Sequence, residues 1–240
     1  MHVAGVDARH GSGDSPEDAA RKARYLALAR TATTLGLGCV LLAQHADDQV
    51  ETLLLALSRG AGLPGLAGMA PGFGRHGMRF ERPLLGIGAA AIRQWLQESG
   101  ASYVEDPTNA DTALTRNRIR HDVLPALEKA FPRYRETFAR SARHAAQAQE
   151  LLAALAAGDL LAMNGQPVRV GLQALSRARQ ANLLRHWLTA AHEQQASAAQ
   201  MDELVAQVAA CTTCGHRIRI RVANGWVERL GPQLVFARSL

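Results

Sequence analysis

Between Leu41 and Met69 a histidine, three carboxylates, an arginine and a glycine-rich turn fall within thirty positions of one another: His45, Asp47, Asp48, Glu51, Arg59, Gly60 and Gly62. Asp47 and Glu51 are four residues apart, which on a helix puts both carboxylates on one face. Carboxylates grouped in this way can hold a divalent cation or a substrate ammonium, and an arginine can steady charge developing on a phosphate. Acids in a first helical turn also favour the helix dipole with no ligand at all, so plain capping is the rival reading of Asp47 and Asp48.

Two later stretches carry the same kinds of group. In EDPTN, Glu105 to Asn109, Pro107 disfavours helical geometry at Asp106 and holds that carboxylate in an extended turn. In TRNRIRHDVLP, from Thr115, Arg116, Arg118 and Arg120 surround Asn117 and precede His121. Three arginines so close to Asp106 suit a polyphosphate or an RNA backbone, and equally a solvated face.

The elements that must position these groups follow from periodicity. Val40 to Ala43 reads as a buried strand, and Ala46 to Ser58 as a helix with Val50, Leu53, Leu54 and Leu57 on its apolar stripe. That is a strand-to-helix junction of the kind where open α/β sheets bind ligands. Val3 to Val6 reads as a strand remnant. Ser15 reads as the N-cap of a helix that starts at Pro16 and closes near Gly36, and the preceding GSGDS as loop, since no Walker lysine follows. Arg79 to Leu85 is expected to be extended, Ala89 to Ser99 a helix burying Ile92, Trp95 and Leu96, and Ser102 to Val104 a short strand. Tyr134 to Ala157 reads as a long helix. Helices at Ser176 to His192 and Ala198 to Ala210 follow, then strands at Arg217 to Val222, Trp226 to Leu230 and Gln233 to Ala237. Arg217, Arg219 and Arg221 alternate with Ile218 and Ile220, giving a strand one basic face, which is either a protected edge or an RNA backbone contact.

Composition sets the bounds. The 240 residues, 48% hydrophobic and 20% charged, suit one large core or two modest ones. Of the 27 cationic residues behind the +6 net charge, only Lys22 and Lys129 are lysines. No apolar run approaches the ~20 residues that span a bilayer, and the N-terminus lacks the apolar block of a signal peptide. A cytoplasmic protein without membrane contact is expected. Cys39, Cys211 and Cys214 form neither a disulfide framework nor a complete zinc site.

Taken together, ARKARY at Ala20, HADDQVETLLLALSRGAGLPGLAGM at His45, RPLLG at Arg82, EDPTN and TRNRIRHDVLP resemble, in order and spacing, the tRNA(Ile)-lysidine synthetases. QANLLRHWL at Gln180 looks like that family's smaller tRNA-binding domain. The resemblance implies an α/β fold. Residues 1–132 would be a portion of a PP-loop ATP pyrophosphatase domain with an incomplete parallel sheet, 133–157 a connecting helix, and 158–240 an α+β tRNA-binding domain. It implies ATP and Mg²⁺ as cofactors, tRNA(Ile) and free lysine as substrates, and adenylation of the wobble cytidine followed by lysine transfer. The residues matching its signatures are His45, Asp47, Asp48, Glu51, Asp106 and Arg116 for catalysis. Arg59, Gly60, Asn117 and Arg120 match for the nucleotide, with Asp47 and Asp48 for the metal.

The family's SGGxDS-type pyrophosphate loop does not occur in these residues, so impaired ligation is expected. Its loss would also expose a sheet edge, and pairing of two copies through that edge is a further expectation. The alternatives are a non-catalytic tRNA-binding remnant, a tRNA thiolase, and metal-dependent hydrolysis at His45 and Asp47.

Overall fold

In the computed structural model, which describes residues 2–7, 9, 16–104, 106–213 and 215–238, the chain divides into two compact units at residues 146 and 147. The GSGDS segment with its Ser15 cap, Glu105 and Cys214 lie outside the described residues.

The first unit opens with α1 (Pro16–Thr34), β1 (Cys39–Leu41), α2 (Ala46–Ser58) and a short α3 (Leu63–Leu66). A hairpin of β2 (Gly72–Arg75) and β3 (Met78–Glu81) follows, then α4 (Ala89–Glu98). Strand order is β1-β3-β2, with β1 parallel to β3 and β2 antiparallel to it. The sheet is therefore mixed, with one parallel pair. His76 and Gly77, at φ 51° and 73°, make the two-residue hairpin turn, and both positive angles match the strand twist. Phe73 and Phe80 face each other across the hairpin, stacked at 5.2 Å, and Tyr25 of α1 meets both edge-on. With Ala29 and Ala32 one and two turns further along, α1 thereby covers one face of the sheet.

The strand expected at Val40 to Ala43 forms as β1 but is not buried, Leu41 being 69% exposed, and the segment expected to be extended over Arg79 to Leu85 leaves the sheet after Glu81 and turns. Three further expectations fail, each for want of a neighbour. Val3 to Val6 and Ser102 to Val104 form no strand, and Val104 is 95% exposed. β-branched residues make strands only when an adjacent strand takes up their backbone groups, and none of the described strands lies beside these two segments. α4 forms as expected, yet Trp95 is 63% exposed and no residue of the helix is buried.

A 3₁₀ turn at Pro107–Ala110 precedes α5 (Thr115–Arg118), a π turn at Ile119–Val123 and α6 (Leu124–Ala130). Pro125 lacks the N–H that would bond the carbonyl of His121, and its ring crowds that carbonyl, which accounts for the widened turn before it. α7 (Tyr134–Leu161) supplies residues to both units.

The second unit contains α8 (Arg169–Gln173), α9 (Arg177–His192), α10 (Ala198–Ala210) and an antiparallel sheet of β4 (Arg219–Val222), β5 (Gly225–Leu230) and β6 (Gln233–Arg238). Ser176 caps α9, and Ser197 with Gln200 forms a reciprocal capping box on α10, which is why both helices start where the sequence places them. Leu183, Leu184, Trp187 and Leu188 of α9 pack on Met201, Leu204 and Val208 of α10 and on Ile220, Val222 and Val227 of the sheet. Among the described residues, no helix is long and apolar enough to cross a membrane.

Leu184 is fully buried in this core. Leu184→Ala is expected to destabilise the second unit by about 2–5 kcal/mol, through lost burial plus a cavity. Urea unfolding followed by far-UV circular dichroism should show a lower midpoint, and an unchanged midpoint would contradict the packing described.

Candidate active site

Helix α2 starts on a reciprocal cap. The His45 ring accepts the Asp48 N–H at 3.4 Å, while the Asp48 carboxylate accepts the His45 N–H at 3.0 Å. The expected apolar stripe is buried at Val50 and Leu53 and packed against the core at Leu54, but ends before Leu57, which is 56% exposed. Buried as well are three polar residues of the helix's first half, Asp47, Gln49 and Glu51. Each must therefore find partners within the protein.

Asp47 finds them on two other helices. One oxygen accepts the Ala89 N–H at the start of α4, at 2.7 Å; the other accepts Arg135 Nε at 2.7 Å and the Tyr134 hydroxyl at 3.2 Å, both at the start of α7. Burial alone would raise this carboxyl, but the Ala89 amide, Arg135 and His45 outweigh it and hold the group below the ordinary aspartate value of 3.8. Burial and the Asp47 charge push the Tyr134 phenol up to about 12, so it stays a donor. The side chain of Gln49 clamps a loop, accepting the Met69 N–H at 2.7 Å and donating to the Met69 carbonyl at 3.1 Å. Gly68 is required beside it, at φ +64° and with a Cβ position only 2.8 Å from the Gln49 amide.

Glu51, fully buried, receives Arg120 in two bonds of 2.9 and 3.2 Å, and Asp48 lies 3.5 Å from the same guanidinium. Burial raises the Glu51 carboxyl even against the pull of Arg120. Four residues before Arg120, Arg116 reaches Thr52 of α2 at 3.3 Å. Helix α2 thus faces three arginines, of which Arg120 and Arg135 meet carboxylates and Arg116 meets a hydroxyl. An open pocket of ≈ 350 Å³ borders His45, Asp47, Arg93, Arg120, Glu128 and Arg135.

His45, Asp47, Asp48, Glu51, Arg116 and Arg120 thus come together, and the remaining expected residues stand elsewhere. Arg59 and Gly60 end α2, where Gly60 at φ +65° and the Ala61 N–H to Ala56 carbonyl bond close a Schellman cap. Thirteen residues of helix place them about 20 Å from His45. Asp106 is exposed and caps the 3₁₀ turn through Thr108. Asn117, buried, donates to the carbonyls of Thr108 and Asp111 at 2.8 Å each, fastening that turn to α5. Sequence reasoning passed over Tyr134 and Arg135, whose partner Asp47 lies some ninety positions away.

A metal role for Asp47 and Asp48 meets carboxylates already engaged. Asp47 has three hydrogen bonds and Asp48 closes the helix cap. Among the described residues no group of three His, Cys, Asp or Glu side chains is spaced to hold a metal ion. This donor set fits direct Mg²⁺ coordination poorly.

Asp47→Asn is expected to cost about 1–3 kcal/mol at neutral pH, because a partly buried guanidinium, a phenol and a helix amide lose a charged acceptor. The folded-state carboxyl lies below 3.8, so its stabilisation is present above that value and is lost as pH falls through the depressed one. The stability gap between wild type and variant, measured by urea unfolding, should be flat above about pH 5 and close in stronger acid. A gap independent of pH would contradict the ionised clasp.

Known proteins are similar to this chain over nearly its whole length. Residues 1–127 match the PP-loop domain family, and residues 168–229 match the TilS substrate binding domain. A tRNA(Ile)-lysidine synthase of Polaromonas naphthalenivorans is 60% identical over 237 residues, covering 99% of this chain and 72% of the relative. One of Burkholderia pseudomallei is 44% identical over 95% of this chain, and one of Bordetella pertussis 38% identical over 88%. The chain spans 47% of the Burkholderia protein and 68% of the Bordetella protein. With a PP-loop match over its first 127 residues and 60% identity to such a synthase, the chain belongs to the tRNA(Ile)-lysidine synthase family.

Proposed function

We propose that the chain carries out tRNA modification by ATP-dependent ligation of lysine to C2 of the wobble cytidine of tRNA(Ile). The observation that carries this reading is the pairing, in one polypeptide, of a PP-loop segment with a substrate binding segment of the same family. A PP-loop domain implies ATP use. In the first half-reaction the C2 oxygen attacks the α-phosphorus and pyrophosphate leaves. In the second, an amine of free lysine attacks C2, its proton passes to a base or to water, and AMP leaves with the C–O bond electrons.

The side chains divide the work by their pairing. Arg120 is held by Glu51 and Asp48, and Arg135 by Asp47 and Glu128, so these set the shape of the site. Arg116, half-buried, in no ion pair among the described residues and bonded to the Thr52 hydroxyl, is a cation available to a phosphate whose charge grows in the transition state. Mg²⁺ accompanying ATP would be held chiefly by phosphates and water. Two described cysteines bear on a thiolase: Cys39 in the first unit and buried Cys211 in the second, each with a backbone carbonyl within its reach. Nothing in that placement favours sulfur transfer. A second copy would pair at β1, where Leu41 is 69% exposed, and a monomeric sedimentation coefficient at high concentration would rule such pairing out.

The test is transfer of radiolabelled lysine to a tRNA(Ile) transcript by the full chain. Label should enter RNA only with ATP present, with AMP released in equal amount. Binding of tRNA without label transfer would leave a non-catalytic binding protein. Arg116→Ala should lower kcat by roughly 10²-fold with the dissociation constant for tRNA little changed. A loss confined to tRNA affinity would assign Arg116 to RNA contact instead.

A further inference from the structure

The open face of the second unit's sheet carries a set of residues that packing does not explain. Along β4, Ile220 and Val222 point into the core, leaving Arg219 and Arg221 exposed on the other side. Register places Arg219 opposite Glu228 and Arg221 opposite Trp226. The Arg219 guanidinium lies 4.4 Å from the centre of the Trp226 ring, and its Nε is 2.9 Å from the Glu228 carboxylate. It is thus held flat by stacking and aimed by an ion pair.

Arg221, on the same face and ~6.6–6.8 Å further along the strand, has no carboxylate partner among the described residues. Arg217, exposed just ahead of the strand, has none either. Two arginines elsewhere in this unit are held by acids, Arg177 by Asp202 and Arg179 by Asp159, and two more by neutral acceptors, Arg169 by Gln173 and the Cys211 carbonyl and Arg229 by the Gly231, Thr213 and His216 carbonyls. The result is a local excess of planar cations beside a half-buried indole.

We propose that this face of β4 and β5, through Arg219 and Arg221 with Trp226 as a platform, docks the phosphate backbone of the tRNA. The proposal rests on the reading of the chain as a tRNA-modifying enzyme and assigns the RNA contact to one surface. Three points argue for RNA as the occupant. Guanidinium groups grip phosphates bidentately. Their step along the strand is on the scale of neighbouring phosphates in a nucleic-acid strand. The stacked indole holds Arg219 ready at little entropic cost. Moreover, these residues lie within the segment matched to the substrate binding domain, residues 168–229. The rival is that β4, an edge strand, carries arginines only to prevent pairing with other chains.

The experiment titrates the full chain with a fluorescently labelled tRNA(Ile) transcript and follows anisotropy across a salt series. Arg221→Glu is expected to weaken binding by roughly tenfold near physiological salt and to make the salt dependence shallower by about one unit of log–log slope. Arg221→Lys should keep most of both, since a point charge still meets a phosphate. The side chain is exposed, and an unchanged melting temperature will show that the fold is intact. Wild-type affinity and slope in Arg221→Glu overturn the surface while leaving the function standing, and new self-association with unchanged tRNA affinity assigns the arginines to edge protection. Failure of the wild-type chain to bind tRNA(Ile) at all overturns the functional reading and this surface with it.

Discussion

The carboxylate of Asp47 stands where three helices begin. It belongs to the first turn of α2, accepts the first free amide of α4, and takes Arg135 and Tyr134 from the first turn of α7. Helix starts concentrate unpaired N–H groups and positive potential, so one buried anion satisfies donors that would otherwise be stranded. The rest of the site is built outward from this point. His45 is fixed by the cap of the same turn, and Glu51 one turn further on fixes Arg120.

An arrangement of this kind separates holding from reacting. Arg120 and Arg135 are neutralised within the protein, and their removal would strand buried charge more than it would subtract charge from a substrate. Arg116 differs because its nearest partner is the Thr52 hydroxyl, which costs little to give up. The same contrast recurs in the second unit, where Arg179 is committed to Asp159 and Arg221 to nothing among the described residues.

Much of the architecture was legible from local pattern. Helices α2 and α10 have the bounds that their caps and apolar spacing predict, and α9 starts one residue after its Ser176 cap. The three strands of the second sheet fall within two residues of expectation, and β4 alternates buried and exposed positions as its sequence pattern requires. The failures share a cause. Val3 to Val6, Ser102 to Val104 and the apolar side of α4 have the right composition for burial, but composition does not supply the neighbour that burial needs. In the site, the motif was legible and the division of labour was not. Asp47, Asn117 and Gly60 matched family signatures, and the structure gives all three contacts that hold helices and turns together.

By itself the sequence determined most of the elements, the family and which residue types gather at the start of α2, since caps, periodicity and motif spacing act over a few residues and need no knowledge of what lies across the core. Only the tertiary structure decided which charges are paired. Asp47 with Arg135 and Glu51 with Arg120 join positions 88 and 69 residues apart, and no local rule couples them. Their pairing follows from burial, because a charge removed from water must meet its partner wherever the packed helices bring one within reach.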